Sequence, residues 1–136
     1  MHPTIQRLVD AMNRHDPDGM AACFAATYDS EQPVHPNRTF RGPNQVAKNW
    51  RQMFAGVPDV VVKVVSSAQD GSTTWTEYAW DGHYTDGSTY ASRGCIVAGI
   101  DDDGQIAWQR LYMEPVEENS ADIEEAVRQL STPKSR

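Results

Sequence analysis

Three turn segments, each with an Asp-Gly dipeptide, divide the second half of the chain and restrict its fold more than any other feature. They are QDGS (69–72), TDGS (85–88) and DDDG (101–104). Asp-Gly favours tight hairpin turns, because glycine tolerates the positive backbone angle that these turns require. The segments that the dipeptides separate are rich in β-branched and aromatic residues. They are therefore predicted to form strands of an antiparallel meander.

The predicted strands cover residues 60–67, about 73–84, 89–100 and 105–114, and Pro115 ends the last one. Residues 28–34 are interpreted as irregular or as a short strand. Helical spacing of apolar residues predicts a first helix over about 3–13. Asp16 and Pro17 start a short second helix through Phe24, the segment RGPNQV starts a third that ends at Gly56, and Ser120 could cap a last one. Helices followed by a curved antiparallel sheet indicate an α+β fold.

Composition narrows the classes of function. The chain has 136 residues, enough for one domain, and a formal net charge of −7, which argues against nucleic-acid and anionic-membrane partners. No signal peptide or membrane-spanning run is visible, so a cytoplasmic location is expected. Cys23 and Cys95 belong to no cluster, no His pair has metal-site spacing, and no glycine loop could cradle phosphate. No cofactor and no metal are therefore expected.

Four segments carry a resemblance to a known family. They are NRHDPDGMAACF, RTFRGPNQVAKNWRQMFAGVPDVVV, YAWDGHYTDG and DDDGQIAWQRLYMEP. With these segments the chain resembles the SnoaL-like branch of the nuclear transport factor 2-like superfamily, over roughly residues 3–116. The resemblance implies a cone-shaped sheet wrapped around the helices, with a pocket at one end. It also suggests a domain over 1–116, followed by a C-terminal helix and polar tail over 117–136.

The chain departs from the catalytic sets of the enzymes that it resembles. Gln32 stands where ketosteroid isomerase has its base, and Ile96 falls at about the position of its second acid. Leu111 stands where polyketide cyclases carry an acid. The limonene epoxide hydrolases need an Arg and two Asp, which are also missing. The resemblance therefore predicts a fold more strongly than an activity.

The orientation of Glu77 is the central question of the sequence. Simple alternation would bury Tyr78 and Trp80 and leave Glu77 in solvent. The resemblance to the epoxide hydrolases instead places Glu77 at a pocket-facing position, and we adopt this second interpretation. Desolvation would then favour the neutral acid, as a general acid/base working near pH 7 requires. Asp81 and His83 follow on the same face and complete a predicted catalytic set.

The same strand register predicts two further groups of residues. Ligand-binding residues inside the pocket or at its rim are Gln32, His35, Trp75, Ile96, Gln109, Leu111 and Met113. Residues on the outer sheet face, predicted to form a homodimer interface, are Tyr78, Trp80, Trp108, Arg110 and Tyr112.

Two functions follow from these predictions. The first is a small cofactor-free enzyme, an isomerase or polyketide cyclase-like lyase, that removes a proton next to a carbonyl of an apolar molecule. The alternative is a non-catalytic small-molecule-binding or accessory protein of the same fold.

Overall fold

The elements follow the predicted α+β order. The computed structural model describes residues 1–134. Its α-helices are α1 (Pro3–Asn13), α2 (Pro17–Ala21), α3 (Pro43–Gly56) and α4 (Ile123–Ser131). Its strands are β1 (Phe24–Glu31), β2 (Phe40–Arg41), β3 (Val61–Asp70), β4 (Thr73–His83), β5 (Thr89–Ile100) and β6 (Ile106–Pro115), and a short 3₁₀ helix (Pro36–Arg38) lies between β1 and β2.

One curved sheet contains all six strands, in the order β2-β1-β6-β5-β4-β3. Strands β3 to β6 form the antiparallel meander that the Asp-Gly turns predicted. Gly71, Gly87 and Gly104 adopt positive φ angles of 59°, 86° and 74° at these turns, a conformation that glycine adopts without steric cost. The fold class is therefore confirmed.

Strand β1 is longer and more central than the sequence suggested. It pairs in parallel with β6 and antiparallel with the two-residue β2. It begins at Phe24, which the prediction had assigned to the end of the second helix. The backbone N–H of Ile106 donates to the Cys23 carbonyl oxygen at 2.9 Å. This pairing with a distant strand extends β1, and local helical signals cannot reveal it.

Helices α1 and α3 provide the apolar residues that cover the concave face of the sheet. Ile5, Leu8, Val9 and Met12 of α1 are all buried in the core, as their helical spacing predicted. Full burial of one such side chain contributes about 1.5–3 kcal/mol. The core therefore lies between these helices and the inner face of the meander.

The register of β4 decides which side chains enter that core. Glu77 lies opposite Cys95, and Thr76 lies opposite Ile96. Directly opposite residues share a face of the sheet, so the buried Ile96 places the even-numbered residues of β4 inward. Accordingly Tyr78 and Trp80 are buried, with 2% and 8% of their surface exposed. The inward orientation predicted for Glu77 required the other parity and is wrong.

Helix α4 follows the sheet and leaves its apolar side chains in solvent. Asp122, rather than Ser120, caps its N-terminus, where Oδ1 accepts the backbone N–H of Glu125 at 3.0 Å. Ile123 and Leu130 are exposed. The last two residues of the predicted segment 117–136 lie outside the described residues. No single helix within residues 1–134 is both long enough and apolar enough to cross a membrane.

Candidate ligand-binding cavity

A cavity of about 230 Å³ lies between the helices and the concave face of the sheet. Its wall combines side chains from α1, α2 and α3 with inward-facing side chains of β1, β4, β5 and β6. Seventeen residues line it, and none of these described residues is an Asp, Glu, His, Lys or Arg. Most are aliphatic, aromatic or methionine side chains. The cavity is therefore apolar and carries no formal charge.

A hydrogen-bonded pair provides the main polar feature of the wall. The hydroxyl of Tyr28 on β1 donates to Oε1 of Gln109 on β6 at 2.8 Å. Both residues are buried, and Ser30, also buried, lies beside Gln109 in the parallel register of β1 and β6. Burial raises the pKa of Tyr28 above its ordinary value. The phenol thus stays protonated at neutral pH and acts as a hydrogen-bond donor.

Aromatic rings form another part of the wall. Trp50 of α3 meets Trp80 of β4 edge to face, with ring centroids 5.1 Å apart and planes at 72°, a geometry that aromatic pairs prefer. Trp80 Nε1 is buried and has no hydrogen-bond partner among residues 1–134. Tyr78 lies next to Trp80 along the strand, and burial raises its pKa as well. These rings give a ligand a large contact surface.

The sequence analysis did not identify Tyr28 and Ser30 as residues of the site. Tyr28 and Ser30 alternate as inward residues of β1, yet this segment was interpreted as irregular or as a short strand. The available signal was the alternation of Tyr28 and Ser30 with the charged Asp29 and Glu31.

Four residues of the predicted ligand-binding group line the cavity: Gln32, Ile96, Gln109 and Leu111. Contact between these residues and a ligand stays a prediction. Gln32 lies at the rim, where Oε1 accepts from Arg38 Nη1 at 3.0 Å.

The other three predicted ligand-binding residues lie outside the cavity wall. Met113 faces inward but packs against the core beyond the lining. Trp75 projects from the outer face of β4, with 38% of its surface exposed, because it shares the parity of Glu77. His35 bonds through Nε2 to Glu114 Oε1 at 2.6 Å, which ties the segment after β1 to β6.

The predicted catalytic set does not enter the cavity. Glu77 is exposed, and its carboxylate accepts a hydrogen bond from Ser66 Oγ at 2.8 Å. It borders a shallow groove on the outer face with Trp75 and Tyr112. The prediction that its carboxylate is desolvated in the pocket is therefore wrong.

Asp81 and His83 share the outer, exposed side of β4 with Glu77, and each has a partner of its own. Arg93 Nη2 donates to Asp81 Oδ1 at 3.0 Å. His83 Nδ1 lies 2.7 Å from Asp59 Oδ2, and the His83 backbone N–H donates to Asp59 Oδ1 at 2.7 Å. These hydrogen bonds lower the pKa of Asp59 below its ordinary value. Asp81 therefore makes a surface ion pair with Arg93, and His83 makes surface hydrogen bonds with Asp59, rather than contacts with the cavity.

The predicted dimer surface is partly wrong for the same reason. Tyr78 and Trp80 face the core, not the outer side. Trp108, Arg110 and Tyr112 alternate with the cavity-lining Gln109 and Leu111, so they lie on the outer face.

The side chains that could bind a metal or a cofactor were also compared with the structure. Within residues 1–134 no group of three or more His, Cys, Asp or Glu side chains is placed to hold a metal ion. Cys23 is buried near α2, and burial raises the pKa of its thiol, which disfavours the reactive thiolate. The cavity wall itself offers neutral oxygen and nitrogen groups and the thioether sulfurs of Met12, Met20 and Met53.

Comparison with solved structures shows the fold. A protein of Catenulispora acidiphila with a ketosteroid isomerase-like fold, in complex with trimethylamine, is 16% identical, with a TM-score of 0.71 over 81% of this chain and 84% of that one. A Mycobacterium tuberculosis epoxide hydrolase like limonene epoxide hydrolase is 22% identical, with a TM-score of 0.70 over 83% and 81% of the two chains. A second M. tuberculosis protein, in complex with estradiol-17beta-hemisuccinate, is 17% identical, with a TM-score of 0.68 over 80% and 89%.

Sequence comparison identifies the family. No curated protein matches the chain. A family model described as SnoaL-like domain matches residues 5–109, which include most of α1, all of α3 and most of the sheet. This match spans more than half of the 136 residues. The chain therefore belongs to the SnoaL-like domain family.

Proposed function

We propose that this protein binds a small, uncharged and largely apolar molecule in the cavity. The observation that carries the proposal is the composition of the wall: seventeen lining residues without a carboxylate, imidazole, ammonium or guanidinium group. Moving an ion from water into such an environment without a partner is strongly unfavourable. Apolar surface, in contrast, contributes about 25 cal/mol for each Å² that it buries. The wall thus selects neutral molecules.

The size of the cavity sets the size of the ligand. An apolar cavity of about 150 Å³ is sufficient for benzene. The volume of about 230 Å³ here is half as large again, which corresponds to a ligand of about ten non-hydrogen atoms.

Isomerase- or cyclase-type acid/base chemistry is the second candidate, and membership of the SnoaL-like family supports it. Such chemistry requires a base within hydrogen-bond reach of the proton that it removes. The wall provides no carboxylate or imidazole for this role. Glu77, the residue predicted to act as the base, faces the other side of the sheet. Binding is therefore the function that the geometry favours.

Methionine methyl groups offer a direct test of binding. Met12, Met20 and Met53 line the cavity, whereas Met1 and Met113 do not. The probe is 2-decalone, an uncharged ketone with 11 non-hydrogen atoms, close to the ~10 that the cavity volume allows. We expect it to shift the ¹³C-methyl NMR signals of the three cavity methionines and to leave those of Met1 and Met113 in place. Saturable shifts at the cavity methionines would support binding.

Two variants sharpen this experiment. Leu111→Trp fills part of the cavity and should weaken binding, whereas Tyr112→Trp adds the same ring on the outer face and should not. Deuterium exchange next to the ketone carbonyl in D₂O separates the two candidate functions. Binding alone predicts exchange at the buffer rate, and faster exchange would favour the enzyme. Unchanged methyl signals up to the solubility limit of the ketone would contradict the proposed binding.

We also propose that two copies pair through the outer sheet face. Trp108 and Arg110 stack there, with Arg110 Cζ 4.6 Å from the Trp108 ring centroid. Tyr112 and Trp75 add exposed aromatic surface, at 39% and 38% exposure. Aromatic and Arg side chains are the residue types enriched in protein interfaces.

A further inference from the structure

Gln109 presents an unused hydrogen-bond donor to the cavity. It lines the cavity wall, and only 5% of its surface is exposed. Its Oε1 accepts the Tyr28 hydroxyl at 2.8 Å. A primary amide also carries two N–H donors, and within residues 1–134 the Gln109 Nε2 group forms no hydrogen bond. At the cavity wall this donor is available to an acceptor from outside the chain.

Tyr28 fixes which end of the amide meets a ligand. Its ring is held by edge-on contacts with Phe24, at 4.5 Å and 62°, and with Phe40, at 6.0 Å and 69°. Its hydroxyl donates to Oε1 of Gln109 at 2.8 Å. The oxygen of the amide is therefore turned toward β1, and the N–H donors remain for the cavity.

We infer, on the basis of the proposed function, that the ligand carries an acceptor oxygen that Gln109 Nε2 binds. Gln109 is then the specificity-determining residue and Tyr28 the residue that positions it. The ligand class that fits is a compact ketone or lactone of about ten non-hydrogen atoms. A carboxylic acid would meet no Arg or Lys in the wall, and an amine would meet no carboxylate. A pure hydrocarbon would leave the Gln109 donor without a partner.

A matched pair of probes tests this inference without any variant. 2-Decalone and decalin share a carbon skeleton and differ by the carbonyl oxygen. We expect the unaltered protein to bind the ketone about tenfold more tightly, the ratio that one neutral hydrogen bond typically provides. We also expect the carbonyl stretch of ¹³C-labelled 2-decalone to move to lower wavenumber on binding, as hydrogen bonding to the oxygen requires.

Three variants assign the effect to Gln109. Gln109→Leu keeps a similar volume and removes the Nε2 donor, but it leaves the Trp80 indole N–H, the buried unpaired donor of the described wall. On the inferred contact with Gln109, ketone and hydrocarbon should bind this variant equally and the infrared shift should vanish. Tyr28→Phe removes the positioning hydrogen bond and should reduce both effects. Gln129→Leu makes the same exchange on exposed α4 and should change neither.

The outcomes separate this inference from the proposed function. Equal affinity of the unaltered protein for ketone and decalin, with saturable binding of both, overturns the role of Gln109 and leaves the binding function intact. An infrared shift that persists in Gln109→Leu also overturns that role. Failure of both probes to shift the cavity methionines overturns the function and the inference together.

Discussion

Replacing Tyr78 by Phe tests the strand register that placed Glu77 on the outer face. Tyr78 and Glu77 are neighbours on β4, so only one of them can face the core. In the structure Tyr78 is the buried one, with 2% exposure, and desolvation raises the pKa of its phenol above the ordinary 10.0. A phenol that is hard to ionise in the folded state makes folding sensitive to alkaline pH.

The expected magnitude follows from proton linkage. Because the folded-state pKa of Tyr78 is raised, its stabilising contribution is fully present below the unfolded pKa and is lost as pH rises through the folded pKa. The unfolded phenol ionises near its ordinary value of 10.0, while the folded one remains protonated. Tyr78 alone should therefore reduce the free energy of unfolding by about 1.4 kcal/mol between pH 8 and pH 11.

The assay is urea unfolding from pH 8 to pH 11, followed by tryptophan fluorescence. Between pH 8 and pH 11, the free energy of unfolding of Tyr78→Phe should fall by about 1.4 kcal/mol less than that of the unaltered protein. Tyr112→Phe, on the outer face with 39% exposure, provides the matched control and should follow the unaltered protein. Equal alkaline losses in Tyr78→Phe and the unaltered protein would refute the register, and with it the assignment of Glu77 to the outer face.

Three further predictions concern other parts of the molecule. Gly94→Ala would place a methyl carbon onto the backbone carbonyl oxygen of Tyr112, so β5 and β6 would have to separate, and urea unfolding should show a loss above about 3 kcal/mol, beyond usual overpacking. Asp59→Asn should lower stability at pH 6 through its contact with His83, and the deficit should disappear as pH falls below 3.8, because the pKa of Asp59 is lowered in the folded state. Trp75→Glu, on the outer face, should convert dimer to monomer in light scattering, and an unchanged mass would contradict the proposed pairing.

Local sequence patterns predicted most elements of the fold. The helix over 3–13 and the strand over 89–100 match the structure residue for residue. Periodicity and Asp-Gly turns act over short distances, so they are readable from the sequence. The boundary between α2 and β1 was wrong because parallel pairing of β1 with β6 is a contact between distant parts of the chain.

The site was harder to predict because it depends on which alternate residues of each strand face the core, and not only on whether a segment is a strand. Alternation along β4 favoured burial of Tyr78 and Trp80, and this simpler interpretation agrees with the structure. The family resemblance suggested the opposite face for Glu77, and a one-residue difference in register exchanges every side chain between the faces. The register predicted for β5 and β6 placed Ile96 and Gln109 inward, as they are in the structure. Their neighbour Tyr28 was missed because its segment was not recognised as a strand that pairs with β6.

The most direct test of the proposed binding is a set of intermolecular nuclear Overhauser effects between 2-decalone and the methionine methyl groups. We predict cross-peaks from the ketone to Met12, Met20 and Met53, which line the cavity, and none to Met1 or Met113. Cross-peaks confined to the outer groove around Trp75 and Tyr112, or none at a ketone concentration that saturates the protein, would contradict a neutral ligand inside the fold.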